Sequence, residues 1–257
     1  MTGLLIGLCA LLGLAIGSFL NVVIYRVPRQ LSVVSPHSAC TSCGMRIQDR
    51  DNVPVVSWLI LRGRCRNCNS PISVRYPLVE LAGGVVFAGA AARIGFHWDL
   101  PAYFVMLASL LALALIDLEH LVLPKRIVYP SIVTVFGLLL LAAILDGRWH
   151  NLFVAVISAA AWFVVYFIIN AVSPRALGFG DVRLAPLLGL GLGWLGFGYV
   201  ILGFFSANLI GAIVGIVLIT TKRMSRHQQI PYGVFLALGA ALAIFAGAEI
   251  LAPFQRF

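Results

Sequence analysis

The sequence contains few charged residues: only 11% of its 257 residues are Asp, Glu, Lys or Arg, whereas 61% are hydrophobic. Soluble globular domains carry about 25% charged residues, so this composition excludes an ordinary soluble protein. The apolar residues fall in long runs that are separated by short charged clusters. We therefore expect an all-α membrane protein whose helices cross the bilayer several times.

About eight apolar runs are candidates for spans, since a helix needs about 17–25 apolar residues to cross the hydrocarbon layer. The expected spans are Leu4–Tyr25, Leu78–Ile94, Pro101–Ile116, Ile127–Leu145, Leu152–Val172, Leu184–Leu195, Gly198–Thr220 and Ile230–Leu251. The sixth and seventh are the hardest to separate, because GLGLGWLGFG between them can form a tight turn or a re-entrant loop. The first run lacks the flanks of a removable signal peptide, so we expect it to be a span.

Acidic residues are scarcer than basic ones, with nine against eighteen, and the basic residues predict the orientation. Positive charges in short loops stay on the cytoplasmic side. With the N-terminus outside, the inside loops hold fifteen Lys or Arg, which are Arg26, Arg29, Arg46, Arg50, Arg62, Arg64, Arg66, Arg75, Lys125, Arg126, Arg175, Arg183, Lys222, Arg223 and Arg226. The outside holds Arg93, Arg148 and Arg256. We expect a multi-pass protein of the plasma (inner) membrane with this orientation.

Cysteine is also rare, but four of the five cysteines fall in the one long polar stretch, at Cys40, Cys43, Cys65 and Cys68. Two Cys-x2-Cys pairs with a 21-residue spacer are typical of a tetrahedral zinc site. The alternative is two disulfides, which a reducing cytoplasm disfavours. The sequence therefore predicts a structural Zn²⁺ in a cytoplasmic four-cysteine loop between the first and second spans.

The basic residues of this loop have two explanations that do not involve nucleic acid. The positive-inside bias is one, and the other is that Arg62, Arg64 and Arg66 would offset the net −2 charge of Zn²⁺ with four thiolates. We therefore expect no nucleic-acid partner. Cys9 lies in the first apolar run and is expected to be a small core residue.

Four of the nine acidic residues lie at or just inside the cytoplasmic ends of spans, namely Glu80, Asp117, Glu119 and Asp181. An ionisable group at such a depth is costly unless it is paired or hydrated, so each is a functional candidate. The other five, Asp49, Asp51, Asp99, Asp146 and Glu249, are expected to be solvated in loops.

Asp117 ends the third span, in LALALIDLEHLVLP, and Asp181 opens the sixth, in LGFGDVRLAP, so both are expected at the same membrane depth. Two carboxyl groups that share a proton can activate water, because one is anionic and accepts a proton while the other is neutral and polarises a carbonyl. This is the chemistry of aspartic peptidases. A helix N-terminus favours a charged carboxylate, so we expect Asp181 to be the anion.

Each acid also has a structural interpretation. Asp181 after Gly178 and Gly180 is typical of a helix N-cap, and Asp117 can belong to a solvated turn before Pro124. Glu80 can form a salt bridge with Arg75 at the head of the second span. For each acid alone the structural interpretation is as good as the functional one, and the pairing of two aspartates favours catalysis.

Several segments together resemble the type IV prepilin peptidases, a family of intramembrane Gly-x-Gly-Asp aspartyl enzymes. They are Asp117 with Leu-Pro following, the Gly-Phe-Gly-Asp at 178–181, the four cysteines, and the segments GSFLNVVIYRVP, NVPVVSWLILRGRC and ISVRYPLVEL. The resemblance extends from Gly17 to about Leu195. One departure is visible, since the family often has an Asp after Leu-Pro and this chain has Lys125.

The resemblance implies a bifunctional leader peptidase and N-methyltransferase. Such an enzyme cleaves the basic leader of prepilins or pseudopilins at the cytoplasmic face, then methylates the new N-terminal residue with S-adenosylmethionine. It implies that Asp117 and Asp181 are catalytic, that Gly178, Gly180, Glu119 and Glu80 bind substrate or shape loops, and that the cysteine domain serves methyl transfer. No residue pattern identifies a pocket for S-adenosylmethionine.

The resemblance also suggests a division of the chain. Residues 1–76 are expected to form the first transmembrane helix and the four-cysteine zinc domain, and residues 77–257 the transmembrane peptidase domain. An ion-coupled transporter with an acidic relay is the alternative function, although the acids lie at the rim and not at the midplane of the bilayer. A non-enzymatic scaffold is a third. The oligomeric state stays open.

Overall fold

A computed structural model describes residues 2–174, 177–221 and 230–255 of the chain. Five basic residues that contributed to the orientation argument lie outside these ranges: Arg175, Lys222, Arg223, Arg226 and Arg256. Within the described ranges the protein is helical and forms no β-strand beyond two isolated bridges. The chain divides into two compact units, Met1–Gly95 and Phe96–Phe257.

The α-helices of the described residues are numbered in chain order. They are α1 (Thr2–Arg26), α2 (Val56–Ile60), α3 (Arg75–Ile94), α4 (Leu100–His120), α5 (Lys125–Asp146), α6 (Trp149–Val172), α7 (Phe179–Leu195), α8 (Phe197–Thr220) and α9 (Tyr232–Leu251). Seven are long and apolar enough to cross a membrane. The shorter α7, of 17 residues, is the eighth apolar helix. The expected all-α fold with about eight spans is confirmed.

In the first unit, α1 and α3 pack closely because both carry glycines where they touch. A Cβ on Gly13 would collide with the carbonyl of Gly83, and one on Gly17 would lie 2.7 Å from the Cα of Glu80. The polar segment between the two helices belongs to the same unit. Because α3 packs on α1, the compact unit ends at Gly95. The expected functional division between residues 76 and 77 stays a prediction.

In the second unit, α7 is the most buried helix, and its glycines explain why. A Cβ on Gly189 would lie 2.5 Å from the Cα of Ala159 in α6, and one on Gly191 would overlap Met106 of α4. The uncharged block is therefore continuous helix as far as Leu195. The chain reverses at the single residue Gly196, whose φ of 129° strongly favours glycine, so no re-entrant loop is formed.

A polar cluster lies at the C-terminal end of α7, the end away from Asp181. One oxygen of Asp99, Oδ2, accepts hydrogen bonds from Arg148 Nη1 (2.8 Å) and from Trp194 Nε1 (2.7 Å). The Arg148 guanidinium also lies 4.8 Å from the centre of the Trp194 ring. Asp99 is only 3% exposed. The expectation that water solvates it is wrong, because its partners come from residues 49 and 95 positions away.

Candidate functional site

Asp117 lies in the last turn of α4 and is 5% exposed. The helix ends at Leu121, which adopts a left-handed conformation and donates its N–H to the Asp117 carbonyl oxygen (2.8 Å). The side-chain Oδ2 of Asp117 accepts a hydrogen bond from the main-chain N–H of Gly233 (2.8 Å), in the first turn of α9. Asp117 is therefore buried and held by another helix, and it does not lie in a solvated turn.

Asp181 lies in the first turn of α7 and is 7% exposed. Gly178 occupies the N-cap position, so the interpretation of Asp181 as the cap is wrong. A Cβ on Gly178 would lie 3.2 Å from Asp181 Oδ2, which explains why a glycine suits that position. The carboxyl groups of Asp117 and Asp181 are close enough to interact electrostatically. The fold thus brings together two acids that are 64 residues apart in sequence.

Leu123 lies between the start of α7, which carries Asp181, and the start of α9, whose Gly233 amide binds Asp117. A Cβ on Gly180 would lie 3.1 Å from Leu123 Cβ, and a Cβ on Gly233 would lie 2.9 Å from Leu123 Cδ2. The leucine side chain, 7% exposed, therefore packs on the bare main chain of α7 on one side and of α9 on the other. Gly180, expected to shape the loop, leaves the space that Leu123 fills.

A hydroxyl network lies on the Asp181 side of the site. Tyr232 donates its hydroxyl to Asn208 Oδ1 (2.7 Å), and the hydroxyls of Tyr232 and Tyr166 are 3.4 Å apart. Both tyrosines are within electrostatic range of Asp181. The first turn of α9 therefore faces both acids, since the amide of Gly233 binds Asp117 and the adjacent Tyr232 neighbours Asp181.

The helix-dipole argument that favoured Asp181 as the anion does not distinguish the acids in the structure. Asp181 lies at the start of α7, but Asp117 lies against the start of α9. Both helix N-termini favour negative charge. Among the described residues, Asp117 accepts a hydrogen bond at 2.8 Å from an amide of another helix, and Asp181 interacts with main-chain amides of its own helix start.

The other two candidate acids have different surroundings. Glu119 is exposed at the end of α4, with its Oε2 3.9 Å from His120 Nε2. Glu80 is 9% exposed within the first unit, and its Oε2 accepts the main-chain N–H of Val55 (2.7 Å). Val55 has a φ of 62°, which is rare for a β-branched residue. Glu80 thus holds an unusual turn of the polar segment against α3.

The four cysteines form a candidate metal centre in the first unit. Their Sγ atoms all lie within 4.8 Å of one another, and Cys40 Sγ is 3.8 Å from Cys68 Sγ. Four thiolates at the corners of a zinc tetrahedron are about 3.8 Å apart, given Zn–S bonds of about 2.3 Å. All four are free thiols, so the donor set suits a soft metal ion.

The two cysteine turns have the same main-chain construction. In the first, Gly44 N donates to Cys40 O and Cys40 N to Met45 O; in the second, Asn69 N donates to Cys65 O and Cys65 N to Ser70 O, all at 2.9 Å. Gly44 and Asn69 occupy equivalent positions, and both have positive φ. Two equivalent knuckles therefore present their thiols to one point.

Hydrogen bonds within the knuckles favour the thiolate form that a metal requires. The main-chain N–H groups of Cys43 and Ser42 lower the pKa of the Cys40 thiol to about 6. The Ser70 hydroxyl, 3.1 Å from Cys68 Sγ, lowers the pKa of the Cys68 thiol. The donor atoms and their proximity thus fit a zinc ion.

The arginines near Cys65 have separate roles in the structure. Arg66 forms a bidentate pair with Asp51, with Nη2 2.7 Å from Oδ1 and Nε 2.8 Å from Oδ2, and this pair joins the second knuckle to the preceding turn. The guanidinium lowers the pKa of the Asp51 carboxyl. An open groove beside the knuckle is lined by Leu61, Arg62, Arg64, Cys65, Arg66 and Asn69.

Sequence reasoning missed Gly233, Tyr232 and Tyr166. The one available signal was Pro231 directly before the last apolar run, which marks a helix start. Free N–H groups at a helix start bind anions, but the sequence does not show which acid lies opposite.

Two family models match the chain. Residues 11–94 match the family described as the bacterial peptidase A24 N-terminal domain, and residues 104–216 match the type IV leader peptidase family. No solved structure matches the chain. The acids Asp117 and Asp181 both lie within the second matched region, whereas α9 lies beyond it.

Curated relatives carry the name prepilin leader peptidase/N-methyltransferase. The chain is 34% identical to the protein of Stutzerimonas stutzeri, over 97% of this chain and 94% of that protein. It is 33% identical to that of Pseudomonas aeruginosa (96% and 92%) and 31% identical to that of Bacillus subtilis (93% of each). The chain therefore belongs to the type IV leader peptidase family, and it is a multi-pass membrane enzyme that processes prepilins.

Proposed function

We propose that this family member cleaves the basic leader from type IV prepilins or pseudopilins at the cytoplasmic face of the plasma membrane, with Asp117 and Asp181 as its catalytic pair. The observation that carries the proposal is that two buried carboxyl groups, from the end of one helix and the start of another, lie within electrostatic range. Neither acid has a basic partner among the contacts found for it in the described residues. In two carboxyl groups that interact in this way, the charge of one disfavours ionisation of the other, as an acid–base pair requires.

The proposed reaction uses both protonation states of the pair. The ionised carboxylate takes a proton from water, and the water oxygen attacks the scissile carbonyl carbon. The protonated carboxyl donates its proton to the carbonyl oxygen. The tetrahedral intermediate then collapses. One of its hydroxyls returns a proton to the second carboxylate as the C=O bond re-forms, the C–N bond breaks, and the amine leaves with the proton that the first carboxylate took from water. The hydrogen bond from Gly233 favours Asp117 as the initial base.

Substrate recognition is proposed to use charge at the rim of the site. Glu119 is exposed at the end of the α4 helix, where it can attract a basic leader. Gly178 leaves the space next to Asp181 Oδ2 free of a side chain, and Gly180 makes room for Leu123. Glu80, which holds the Val55 turn of the first unit, is proposed to shape the polar segment that engages the prepilin.

The four-cysteine group is proposed to bind one structural Zn²⁺ through Cys40, Cys43, Cys65 and Cys68. A zinc ion there would join the two knuckles and fix the polar segment. We further propose that the enzyme methylates the N-terminal amine that cleavage exposes. S-adenosylmethionine would supply the methyl group, and the name of the relatives supports this second activity.

Cleavage of a prepilin by purified enzyme tests the proposal. Asp117→Asn and Asp181→Asn should each lower the rate by at least about 100-fold, since each removes one partner of the acid–base pair. Asp146→Asn, at an exposed position at the end of α5, is the matched control and should cleave normally. Folded Asn variants that retain cleavage would reject Asp117 and Asp181 as the catalytic pair.

A further inference from the structure

We infer that Gly233 is a positioning residue for peptide cleavage: its main-chain N–H holds Asp117, and its missing side chain leaves room for both the Asp117 carboxyl and Leu123. The inference rests on the proposed function, because it concerns the same reaction. It adds α9 to a site that the sequence motifs place on α4 and α7 alone. Gly233 lies outside the region that matches the leader peptidase family.

The first observation is the hydrogen bond itself. Gly233 is the second residue of α9, where main-chain N–H groups have no partner within the helix. Its N–H donates to Asp117 Oδ2 at 2.8 Å, and both residues are buried. The main-chain N–H of the next residue, Val234, also interacts with the Asp117 carboxyl, so the first turn of α9 holds this group. These contacts therefore fix the rotation of the carboxyl group.

The second observation is the absence of space for a side chain. A Cβ at position 233 would lie 2.9 Å from Asp117 Oδ2, 2.9 Å from Leu123 Cδ2 and 3.2 Å from Leu123 Cδ1. Contacts under 3.0 Å require one of the partners to move. Since α9 is a continuous helix after Tyr232, even alanine would push Asp117 and Leu123 away from the helix start.

The third observation links Gly233 to the second acid. The same Leu123 side chain that packs on Gly233 also packs on Gly180, which directly precedes Asp181. Leu123 is therefore a spacer between the two helix starts, and it sets the separation of α7 and α9. A displacement of α9 moves Asp117 directly, and a change of Leu123 alters the spacing to Asp181.

The test compares the kinetics of prepilin cleavage by four purified full-length enzymes: wild type, Gly233→Ala, Leu123→Ala and Gly137→Ala. A Cβ on Gly137 in α5 meets nothing within 4 Å, so this variant controls for a glycine replacement in a membrane helix. We expect Gly233→Ala to lower kcat at least tenfold with KM within twofold of wild type, because the substrate still binds while the carboxyl is displaced. Gly137→Ala should match wild type.

The double variant Gly233→Ala/Leu123→Ala separates positioning from general damage. Removal of the leucine methyls relieves one of the two close contacts that the introduced alanine methyl makes, so the loss in kcat should be smaller than the product of the two single losses. Gly233→Ala with wild-type kcat overturns the inference, and so does an effect confined to KM. If Gly233→Ala does not fold, Leu123→Ala decides: reduced kcat at normal KM supports the inference, and wild-type kinetics overturn it.

The proposed function and the inference fail in different ways. If wild-type enzyme does not cleave prepilin, the proposed function is wrong. If wild type cleaves and loses activity in Asp117→Asn, but Gly233→Ala and Leu123→Ala are both normal, only the role of Gly233 is wrong.

Discussion

Among the described residues, the buried carboxyl groups of Glu80, Asp99 and Asp117 each accept a hydrogen bond from a specific donor. An ionisable residue within a membrane-spanning segment costs a few kcal/mol unless other groups compensate. Asp117 accepts a hydrogen bond from the amide of Gly233, and Asp99 accepts hydrogen bonds from Arg148 and Trp194. The two acids differ in their partners. Asp99 has a cationic partner, Arg148, whereas the charged group within electrostatic range of Asp117 is a second acid, Asp181, as the proposed proton transfer requires.

Asp99→Asn should destabilise the protein without a direct effect on the acids. The change weakens hydrogen bonds from a guanidinium and an indole to a buried carboxylate, and bonds to charged groups contribute about 1.5–3 kcal/mol each. Arg148 is 34% exposed, so part of this loss is recovered by water. We expect a loss of about 1–3 kcal/mol in the free energy of unfolding, seen as a lower Tm in detergent.

The exposed Asp146→Asn provides the comparison for Asp99→Asn, since it makes the same chemical change at the end of α5. Its Tm should equal that of wild type. Equal Tm values for both variants would show that the Asp99 cluster contributes nothing to stability.

The helices show which features of a membrane protein a sequence predicts well. All eight expected spans correspond to helices, because long apolar runs leave the backbone no other way to satisfy its hydrogen bonds. The break within the uncharged block was expected between Leu195 and Gly198, where the structure has it, but its form, a tight turn or a re-entrant loop, was not predictable from hydropathy. It depends on the φ of Gly196 and on the fit of Gly189 and Gly191 against other helices, which only the fold reveals.

At the level of elements, the cysteine knuckles give a prediction about metal content. Purified wild-type protein should contain about one zinc ion per chain, measured by mass spectrometry, since four thiols already converge. Cys65→Ser should lose the ion and make the polar segment sensitive to protease, because one ligand and its knuckle are released. Cys9→Ala, in α1 and outside the cluster, should keep the metal.

Two results would contradict the zinc prediction. One is a metal-free preparation that retains both full activity and resistance to protease. The other is unchanged metal content in Cys65→Ser. Either would mean that the main-chain hydrogen bonds of the two knuckles are sufficient to hold the segment.

The whole molecule has an orientation that can be tested with single cysteines in intact cells. Phe96, 88% exposed between α3 and α4, is expected outside, and Val122, 46% exposed between α4 and α5, inside. A membrane-impermeant maleimide should label Phe96→Cys directly and Val122→Cys only after permeabilisation, with the wild-type chain as background. The physical basis is the excess of Lys and Arg on the inner side. The reverse labelling pattern would overturn the orientation.

A residue of the candidate site could be predicted from the sequence only where its residue type is unusual for its position. Asp117 and Asp181 are conspicuous, because acids are rare in apolar runs. The partners of a group carry no such signal. Gly233, Leu123 and the tyrosine pair have ordinary side chains for a membrane helix, and their importance comes from what lies opposite them. The burial of Asp99 was missed for the same reason.

The length of α7 has a consequence for how water reaches the acids. Seventeen residues at 1.5 Å each span about 26 Å, whereas the hydrocarbon layer is about 30 Å thick. Trp194 and its polar partners secure one end of the helix at the headgroup level, so the shortfall falls at the end that carries Asp181. Because α7 is buried among longer helices, we expect its Asp181 end to lie below the membrane surface in a recess lined by protein. The proposed hydrolysis could then take place in a recess open to the aqueous phase while the apolar part of a substrate stays in lipid.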